Sequence, residues 1–408
     1  MDVEAKPIST NYFESAALFL VSKMLERAVY YGFRALLIVH LMGEIIGMDS
    51  REALSLYGIF TAVIMFTPII GGVLGDLIFG NRYVAIAGAL LQALGAFAIC
   101  ISFQPMLYVG LGLIALGSGL YGPNLFSQFG RLHHKIESKM DSGFTLFYVA
   151  INLGSFLGIL FIAYLGEIDF RYGFVAAGVL ALLSSALLFF AKKITQENTK
   201  DVKEISIPKR FIIILIAIFI SSIFWSVYEL GFSEVPIISM NLKDTLSESF
   251  SDSLLQSLNS YAIILLGIAA AIIWWLWRLN RYLKVGLGCI AGGLSFAVLL
   301  FMPEDGQVPG LIIFIISALL IGLAEILVVP TIYSLLTKYT NPKYLAIIFA
   351  IAFLPVSILY KLNSLLVSSM YDNIGTGFFL KLSTGLLVLL GVGIVVLGYI
   401  FLKKKPAL

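Results

Sequence analysis

The stretch that decides how this chain folds reads Phe19-Leu-Val-Ser-Lys-Met-Leu-Glu-Arg-Ala-Val-Tyr-Tyr-Gly-Phe-Arg-Ala-Leu-Leu-Ile-Val-His40. Four charged side chains, Lys23, Glu26, Arg27 and Arg34, interrupt its apolar residues. On an α-helix these positions share one face. A charge at bilayer depth costs several kcal/mol unless it faces water or a partner. Snorkelling from a helix end would explain Lys23 at best. The stripe therefore indicates a polar pathway within a membrane protein.

The composition indicates a protein that is surrounded by membrane lipid. Of 408 residues, 60% are hydrophobic and 12% are charged, and the mean hydropathy is +0.98. Soluble domains carry about one quarter charged residues. Because the apolar runs are long enough to cross ~30 Å of hydrocarbon as helices, we predict an all-α membrane protein with twelve transmembrane helices. The predicted spans are roughly 15–40, 53–76, 83–103, 105–127, 142–165, 172–192, 210–231, 255–277, 284–302, 309–335, 344–369 and 376–402.

Several classes of function have no support in the sequence. The two cysteines, Cys100 and Cys289, lie in apolar runs and predict neither a disulfide nor a metal site. A net charge of +3 is too small to indicate a nucleic-acid partner. The sequence has no nucleophile elbow, no metal-spaced His/Cys group and no phosphate-binding glycine motif, so we expect neither an enzyme nor a cofactor.

Charge in the loops predicts the orientation and the division of the chain. Lys and Arg are concentrated in every second loop, which places both termini in the cytoplasm. The longest charged interruption on that side divides the chain in two. We predict an N-terminal six-helix bundle at 1–192, a cytoplasmic linker at 193–209 and a C-terminal six-helix bundle at 210–408. The outer stretch Glu234–Asp252 is expected to be partly helical.

A glycine-rich motif spans the inner end of the second predicted helix and the turn that follows it. It reads Gly71-Gly-Val-Leu-Gly-Asp-Leu-Ile-Phe-Gly-Asn-Arg82 and includes Gly72, Asp76 and Arg82. Closely spaced glycines let helices approach, and we expect Asp76 and Arg82 to fasten the short inner loop by charge pairing. The motif resembles the loop motif of the major facilitator superfamily. A simple helix-packing surface is the alternative interpretation.

Five further motifs resemble those of the proton-dependent oligopeptide transporters within that superfamily, in the same order along the chain. The most specific is Asp141-Ser-Gly-Phe-Thr-Leu-Phe-Tyr-Val-Ala-Ile-Asn-Leu-Gly-Ser-Phe156 in the fifth span. The others are Glu26–Arg34, Phe224–Glu229, Ser257–Asn259 and Gly322–Pro330. The resemblance implies the major facilitator fold, with twelve helices in two six-helix bundles. A compact chain without long loops favours a bacterial inner membrane.

The resemblance also implies a substrate site at the midplane between the two bundles. A zwitterionic peptide needs a cation for its carboxylate, and Arg27 matches that family position. Glu325, with Asn152 and Asn259, matches the ammonium side. Aromatic side chains would form the walls, although interhelical packing is the alternative for each of them. The implied wall residues are Tyr30, Tyr31 and Trp225.

Proton coupling is expected to involve charges from both bundles. Arg34 and Glu229 match the family pair that links the bundles, and we expect a salt bridge between them that closes the outer side. Protonation of Glu229 would release Arg34 and so link the proton to the conformational change. Lys23, Glu26 and Glu325 complete the group assigned to coupling and gating.

Two departures from the family pattern affect this scheme. Lys23 stands where the family has a glutamate, and Gly122 stands where it has a lysine. Lys23 is therefore expected to pair either with Glu26 or with Glu325. The competing interpretation is that Lys23 faces the cytoplasmic mouth, so that proton coupling is reduced or absent.

These departures leave more than one function open. The first is a secondary active transporter for proton-coupled uptake of di- and tripeptides or peptide-like molecules by alternating access. The alternative is a carrier of the same type for a non-peptide solute, or an exporter of drugs or metabolites, with altered or absent proton coupling. A sensor that only binds its ligand is a further possibility. The expected partners are a small peptide, protons and the lipid bilayer, and we expect a monomer.

Overall fold

The structure, a computed structural model, is built from helices. It describes residues 10–43, 46–101, 103–134, 136–192, 206–245, 252–277, 279–303, 308–370 and 377–403, and every regular element within these ranges is helical. The α-helices are α1 (Thr10–Met42), α2 (Ser50–Val73), α3 (Asn81–Ile99), α4 (Gln104–His134), α5 (Met140–Ile168), α6 (Phe170–Phe190), α7 (Ile207–Phe232), α8 (Val235–Thr245), α9 (Asp252–Leu276), α10 (Arg281–Leu299), α11 (Val308–Tyr339), α12 (Leu345–Met370) and α13 (Phe378–Lys403). Short helical turns at Leu74–Phe79, Glu137–Lys139 and Pro342–Tyr344 join neighbouring helices.

Twelve of these helices are long. Eleven stretches of the described chain are long and apolar enough to cross a membrane. The twelfth is α1, whose 33 residues include the charged stripe. Helices suit this solvent because each one satisfies its backbone hydrogen bonds internally. The predicted all-α fold with twelve long helices is confirmed, and the short α8 lies within Glu234–Asp252, as expected.

The chain divides into two compact units. Unit 1 comprises Met1–Glu137, Ala150–Glu204 and Thr340–Ile351, and unit 2 comprises Ser138–Val149, Ile205–Tyr339 and Ala352–Leu408. Helices α5 and α12 therefore contribute residues to both units. Residues 193–205 of the predicted linker lie outside the described ranges. The predicted bundle boundaries stay predictions.

Several helices of unit 1 contribute to its apolar core. Its apolar core includes Phe33 of α1, Phe60 of α2 and Phe174 of α6, all of them buried. Small residues bring the helices to close range. A Cβ atom added to Gly154 of α5 would lie 2.1 Å from the carbonyl oxygen of Met24. This contact holds α5 against the charged part of α1.

Unit 2 packs α10 against α11 and α13, with α7 and α9 beside them. Glycines again allow close approach, since a Cβ atom added to Gly391 would lie 2.6 Å from the carbonyl oxygen of Gly286. The Glu234 carboxylate accepts the backbone N–H groups of Gly377 at 2.6 Å and Phe379 at 2.8 Å. It satisfies donors at the start of α13 that the helix itself leaves unpaired.

Candidate functional site

A compact ion cluster lies on α1 in unit 1. Lys23 Nζ donates to Glu26 Oε2 at 2.9 Å. Arg27 donates to the same carboxylate through Nε at 2.8 Å and through Nη2 at 2.5 Å. Of the two partners expected for Lys23, the contact with Glu26 is therefore present. Because Lys23 lies three residues before Glu26 and four before Arg27 on one helix, its side chain is a neighbour of both.

Two tyrosines flank the Arg27 guanidinium. Its central carbon lies 4.6 Å from the ring centroid of Tyr30 and 5.9 Å from that of Tyr31. The two rings meet edge to face, with centroids 5.1 Å apart. Cation–π contacts of this kind orient a guanidinium without neutralising it. The role of Tyr30 and Tyr31 as pocket walls stays a prediction.

Arg34 has neutral partners within unit 1. Its Nε and Nη2 donate to the Tyr57 hydroxyl at 2.8 Å and 2.5 Å, and its Nη1 donates to the Tyr30 hydroxyl at 3.3 Å. The sequence did not single out Tyr57 of α2, since a tyrosine in an apolar run carries no charge signal. Glu229, the expected partner of Arg34, belongs to unit 2. The Arg34–Glu229 pair stays a prediction.

Side chains from four helices of unit 2 meet at one buried carboxylate. Glu325 of α11 accepts the Tyr228 hydroxyl of α7 and the Asn259 Nδ2 of α9 on Oε1, each at 3.0 Å. Its Oε2 accepts the hydroxyl of Tyr148, which lies in the unit 2 part of α5. Glu325 is 3% exposed, and these three donors are neutral. A carboxylate offers about four acceptor positions, so roughly one remains, on Oε2.

One atom of the Asn259 amide has no hydrogen-bond partner within the described part of the chain. Its Nδ2 contacts Glu325 and, at 3.4 Å, the Tyr228 hydroxyl. Its Oδ1 is buried and has no hydrogen-bond partner among the residues that the structure describes. A buried acceptor without a donor costs free energy. Asn259 Oδ1 and the remaining position on Glu325 Oε2 are therefore acceptors suited to a cation that carries N–H groups.

The other predicted residues lie on the same helices. Trp225 of α7 packs edge to face against Tyr228, with ring centroids 5.1 Å apart. Glu229 is half-buried, and its carboxylate has no hydrogen-bond or ion-pair partner within the described part of unit 2. Asn152 is half-buried on the unit 1 part of α5. A joint role of Asn152 with Asn259 and Glu325 stays a prediction.

The glycine-rich motif contains an acid whose contacts differ from those expected. Asp76 Oδ1 lies 3.0 Å from Arg131 Nη2 and 2.9 Å from Asn81 Nδ2. Its Oδ2 accepts the backbone N–H of Ile347 at 2.9 Å, in the part of α12 that belongs to unit 1. The expectation that Asp76 pairs with Arg82 is therefore wrong. The turn Leu74–Phe79 directs Asp76 inward, where Arg131 of α4 reaches it.

Arg82 and Gly72 have separate structural roles in the motif. Arg82 donates to the carbonyl oxygens of Leu188 and Phe189 in the last turn of α6. A cation is stabilising there because the unpaired carbonyl groups carry partial negative charge. A Cβ atom added to Gly72 would lie 3.0 Å from the carbonyl oxygen of Ala346. Gly72 therefore permits close approach of the beginning of α12.

A second ion cluster holds the first turn of α5 within unit 2. Asp141 accepts Arg281 Nη2 at 2.8 Å and also accepts Lys284 Nζ. The neighbouring Ser142 hydroxyl donates to the carbonyl oxygen of Ala271 at 2.7 Å. Asp141 is the first residue of the fifth-span motif, so the sequence marks it as part of that motif. Its partners lie at least 140 positions away, and no local signal connects them.

Comparison with known proteins identifies related sequences. The model of the Major Facilitator Superfamily matches residues 19–359. The dipeptide and tripeptide permease A of Proteus mirabilis is 32% identical over 192 residues, which cover 45% of this chain and 39% of that protein. The chain thus spans about two fifths of the length of this permease. The uncharacterized transporter YclF of Bacillus subtilis is 25% identical over 94% of this chain and 92% of that protein.

Solved structures share the fold. A POT family transporter in complex with 5-aminolevulinic acid aligns with a TM-score of 0.67 at 20% identity and covers 94% of this chain and 96% of its own. The peptide transporter POT in complex with sulfate aligns with a TM-score of 0.64 at 23% identity and covers 94% of each chain. At these identities the likeness shows the fold alone.

The matched family and the relatives named above are transporters and permeases, not enzymes. Its helices and its relatives make it a multi-pass integral membrane protein. The bacterial sources of the relatives support the predicted inner-membrane location. Relatives named as dipeptide and tripeptide permeases agree with the resemblance of its motifs to the oligopeptide transporters, and the chain belongs to the Major Facilitator Superfamily.

Proposed function

We propose that this protein is a secondary active transporter that takes up di- or tripeptides, or peptide-like molecules, together with protons by alternating access. The observation that carries this proposal is the set of acceptors in unit 2. Asn259 Oδ1 lacks a donor among the described residues, and Glu325 Oε2 accepts only Tyr148 there. The ammonium group of a peptide supplies N–H donors and a positive charge for both atoms.

Arg27 is the proposed partner of the substrate carboxylate. Two of its nitrogen atoms donate to Glu26, and a guanidinium has five N–H groups, so three remain for a ligand. Arg27 is the most exposed member of its ion cluster. A planar guanidinium matches the two oxygens of a carboxylate. Tyr30, Tyr31 and Trp225 are the proposed walls around the substrate.

Glu229 and Arg34 are the proposed coupling pair. Within unit 1, Arg34 is hydrogen-bonded to tyrosine hydroxyls, which do not neutralise it. Within the described part of unit 2, the Glu229 carboxylate has no partner. Each group therefore leaves a charge to be matched during the transport cycle. A proton on Glu229 would remove the attraction to Arg34 and favour the conformation in which the two are apart.

Uptake by purified protein in liposomes tests the proposal. The measurement compares entry of labelled Ala-Ala with and without an inward proton gradient, using protein-free liposomes as the control. We expect saturable uptake without a gradient and accumulation above equilibrium with one. The relatives named as dipeptide and tripeptide permeases support this choice of substrate.

The outcomes separate the parts of the proposal. Absence of saturable Ala-Ala uptake in both conditions would contradict peptide transport and favour a carrier for another solute. Equal uptake with and without the gradient would contradict proton coupling but leave peptide transport standing. Movement of Ala-Ala only from the cytoplasmic face of the protein to its outer face would identify an exporter.

A further inference from the structure

A buried lysine controls the net charge of the ion cluster on α1. Lys23 and Glu26 have side chains that are 2% and 1% exposed, whereas Arg27 is 17% exposed. The cluster contains two cations and one anion, so its net charge is +1. Because Arg27 has the most exposed surface, this charge is presented to a ligand mainly through the Arg27 guanidinium.

The contacts show how the charge is distributed. Glu26 Oε1 accepts Arg27 Nη2, whereas Oε2 accepts both Arg27 Nε and Lys23 Nζ. Without Lys23, Glu26 and Arg27 would form a neutral pair, and a ligand would meet a dipole rather than a cation. With Lys23, the Glu26 charge is shared between two cations. Arg27 therefore keeps part of its attraction for an external anion.

Lys23 itself is not placed to touch a ligand. Its ammonium group lies 5.4 Å from the ring centroid of Tyr121 and 5.6 Å from that of Phe126, both on α4. Between these two residues, Gly122 has open space, since an added Cβ atom would meet no atom within 4 Å. The segment of α4 beside Lys23 thus presents aromatic rings and no cation, so Lys23 is the residue that adds the second positive charge.

We infer that Lys23 is a specificity-determining residue. Because of its charge, the part of the site around Arg27 binds ligands with an anionic group more tightly than otherwise identical neutral ligands. Lys23 acts through Glu26 and Arg27, which lie between Lys23 and the ligand. The inference rests on the proposed function, because it assumes that Arg27 faces the substrate. The ligand class it specifies is a small molecule with a terminal carboxylate or a similar anion, and a peptide amide is disfavoured.

Competition against labelled Ala-Ala tests the inference. The half-inhibitory concentrations of unlabelled Ala-Ala and of Ala-Ala amide are measured on the wild type and on Lys23→Met, which replaces the charge with a chain of similar length. We expect the preference for the free acid over the amide to fall about tenfold, because removal of a unit charge within roughly 10 Å of the ligand's anion weakens the attraction by this order. Binding of the amide should change little.

A matched control removes a cation that lies away from the cluster. Arg51 is exposed at the beginning of α2, and Arg51→Gln lowers the net charge of the protein by the same amount as Lys23→Met. We expect Arg51→Gln to keep the wild-type preference. Thermal unfolding in detergent checks that each variant is folded. If Lys23→Met unfolds, Lys23→Gln, which retains a hydrogen-bond donor for Glu26, gives the same comparison.

Two results would overturn the inference. An equal loss of affinity for the acid and the amide would show that Lys23 has only a structural role. An unchanged preference in a folded variant would show that its charge does not reach the ligand. Failure of the wild type to bind either peptide would instead contradict the proposed function, and the inference about Lys23 would fall with it.

Discussion

The two units stabilise buried charge in different ways. In unit 1, Glu26 is neutralised by Lys23 and Arg27, which lie within one turn of the same helix. In unit 2, Glu325 has neutral donors, contributed by Tyr148, Tyr228 and Asn259 from three other helices. The first arrangement has one more cationic side chain than anionic ones, and the second has no cation among the contacts of its carboxyl group. Under the proposed function, the anionic group of the ligand binds in unit 1 and the cationic group in unit 2.

The largest expected effect comes from replacing the carboxyl group of Glu325. Glu325→Gln preserves the size of the side chain and its acceptor oxygen, so we expect the protein to fold. We expect Ala-Ala uptake to fall by about 100-fold, since loss of one partner of a buried charged contact costs several kcal/mol. Initial uptake rates in liposomes measure this. Glu52→Gln, at an exposed acid of α2, is the control, and wild-type uptake by Glu325→Gln would contradict the assignment.

A smaller and more selective effect is expected for Glu229, the proposed coupling residue of α7. Glu229→Gln should abolish the roughly tenfold stimulation expected from an inward proton gradient, because the side chain can no longer gain or lose a proton. Exchange of labelled for unlabelled Ala-Ala at equal pH should continue at close to the wild-type rate. Both rates are measured in the same liposomes. If the gradient still drives accumulation in the variant, Glu229 is not the proton carrier.

The ion pairs of Asp76 and Asp141 test how burial affects the contribution of a charge to the free energy of unfolding. Asp76 and Arg131 are buried, with side chains 0% and 4% exposed, whereas Asp141 and Arg281 are 17% and 20% exposed. We expect Asp76→Asn to lower the free energy of unfolding by about 3 kcal/mol and Asp141→Asn by about 1 kcal/mol. Thermal unfolding of both variants in one detergent measures the difference. The reverse order of stability would contradict the role assigned to burial.

The smallest expected effect concerns a neutral donor of unit 2. Tyr228→Phe removes one hydrogen bond to Glu325 Oε1 and frees an acceptor position. We expect the KM for Ala-Ala to fall about threefold to fivefold, because the ammonium no longer competes with the hydroxyl for that position. Stability should decrease slightly at the same time. A raised KM would instead indicate that Tyr228 holds Glu325 in its binding geometry.

Most of the fold could be predicted from the sequence because lipid leaves few alternatives. Apolar runs of membrane length predict helices, and the structure has twelve long ones in the described ranges. The sequence does not reveal that α5 and α12 each contribute to both units. That division depends on contacts between residues far apart in the chain. One example is the backbone N–H of Ile347, which reaches Asp76 across 271 positions.

The ion cluster on α1 and the contacts of Glu325 differ in how far the sequence could predict them. Lys23 lies three residues before Glu26 and four before Arg27 on one helix, so the spacing places its side chain beside both. Tyr148 and Tyr228 lie 177 and 97 positions from Glu325, and nothing in their local sequence points to it. The predicted Asp76–Arg82 pair was wrong because short separation in a loop does not fix the direction of side chains. Charged residues are visible in an apolar sequence, but their neutral partners are not.

The most direct test of the account measures which end of the substrate each unit recognises. Ala-Ala, its N-acetyl form and its amide compete with labelled Ala-Ala on the wild type, Arg27→Gln and Glu325→Gln. We predict that Arg27→Gln loses the preference for a free carboxylate and keeps the preference for a free ammonium, and that Glu325→Gln does the opposite. If both variants weaken all three ligands in equal proportion, the assignment of one substrate charge to each unit is contradicted.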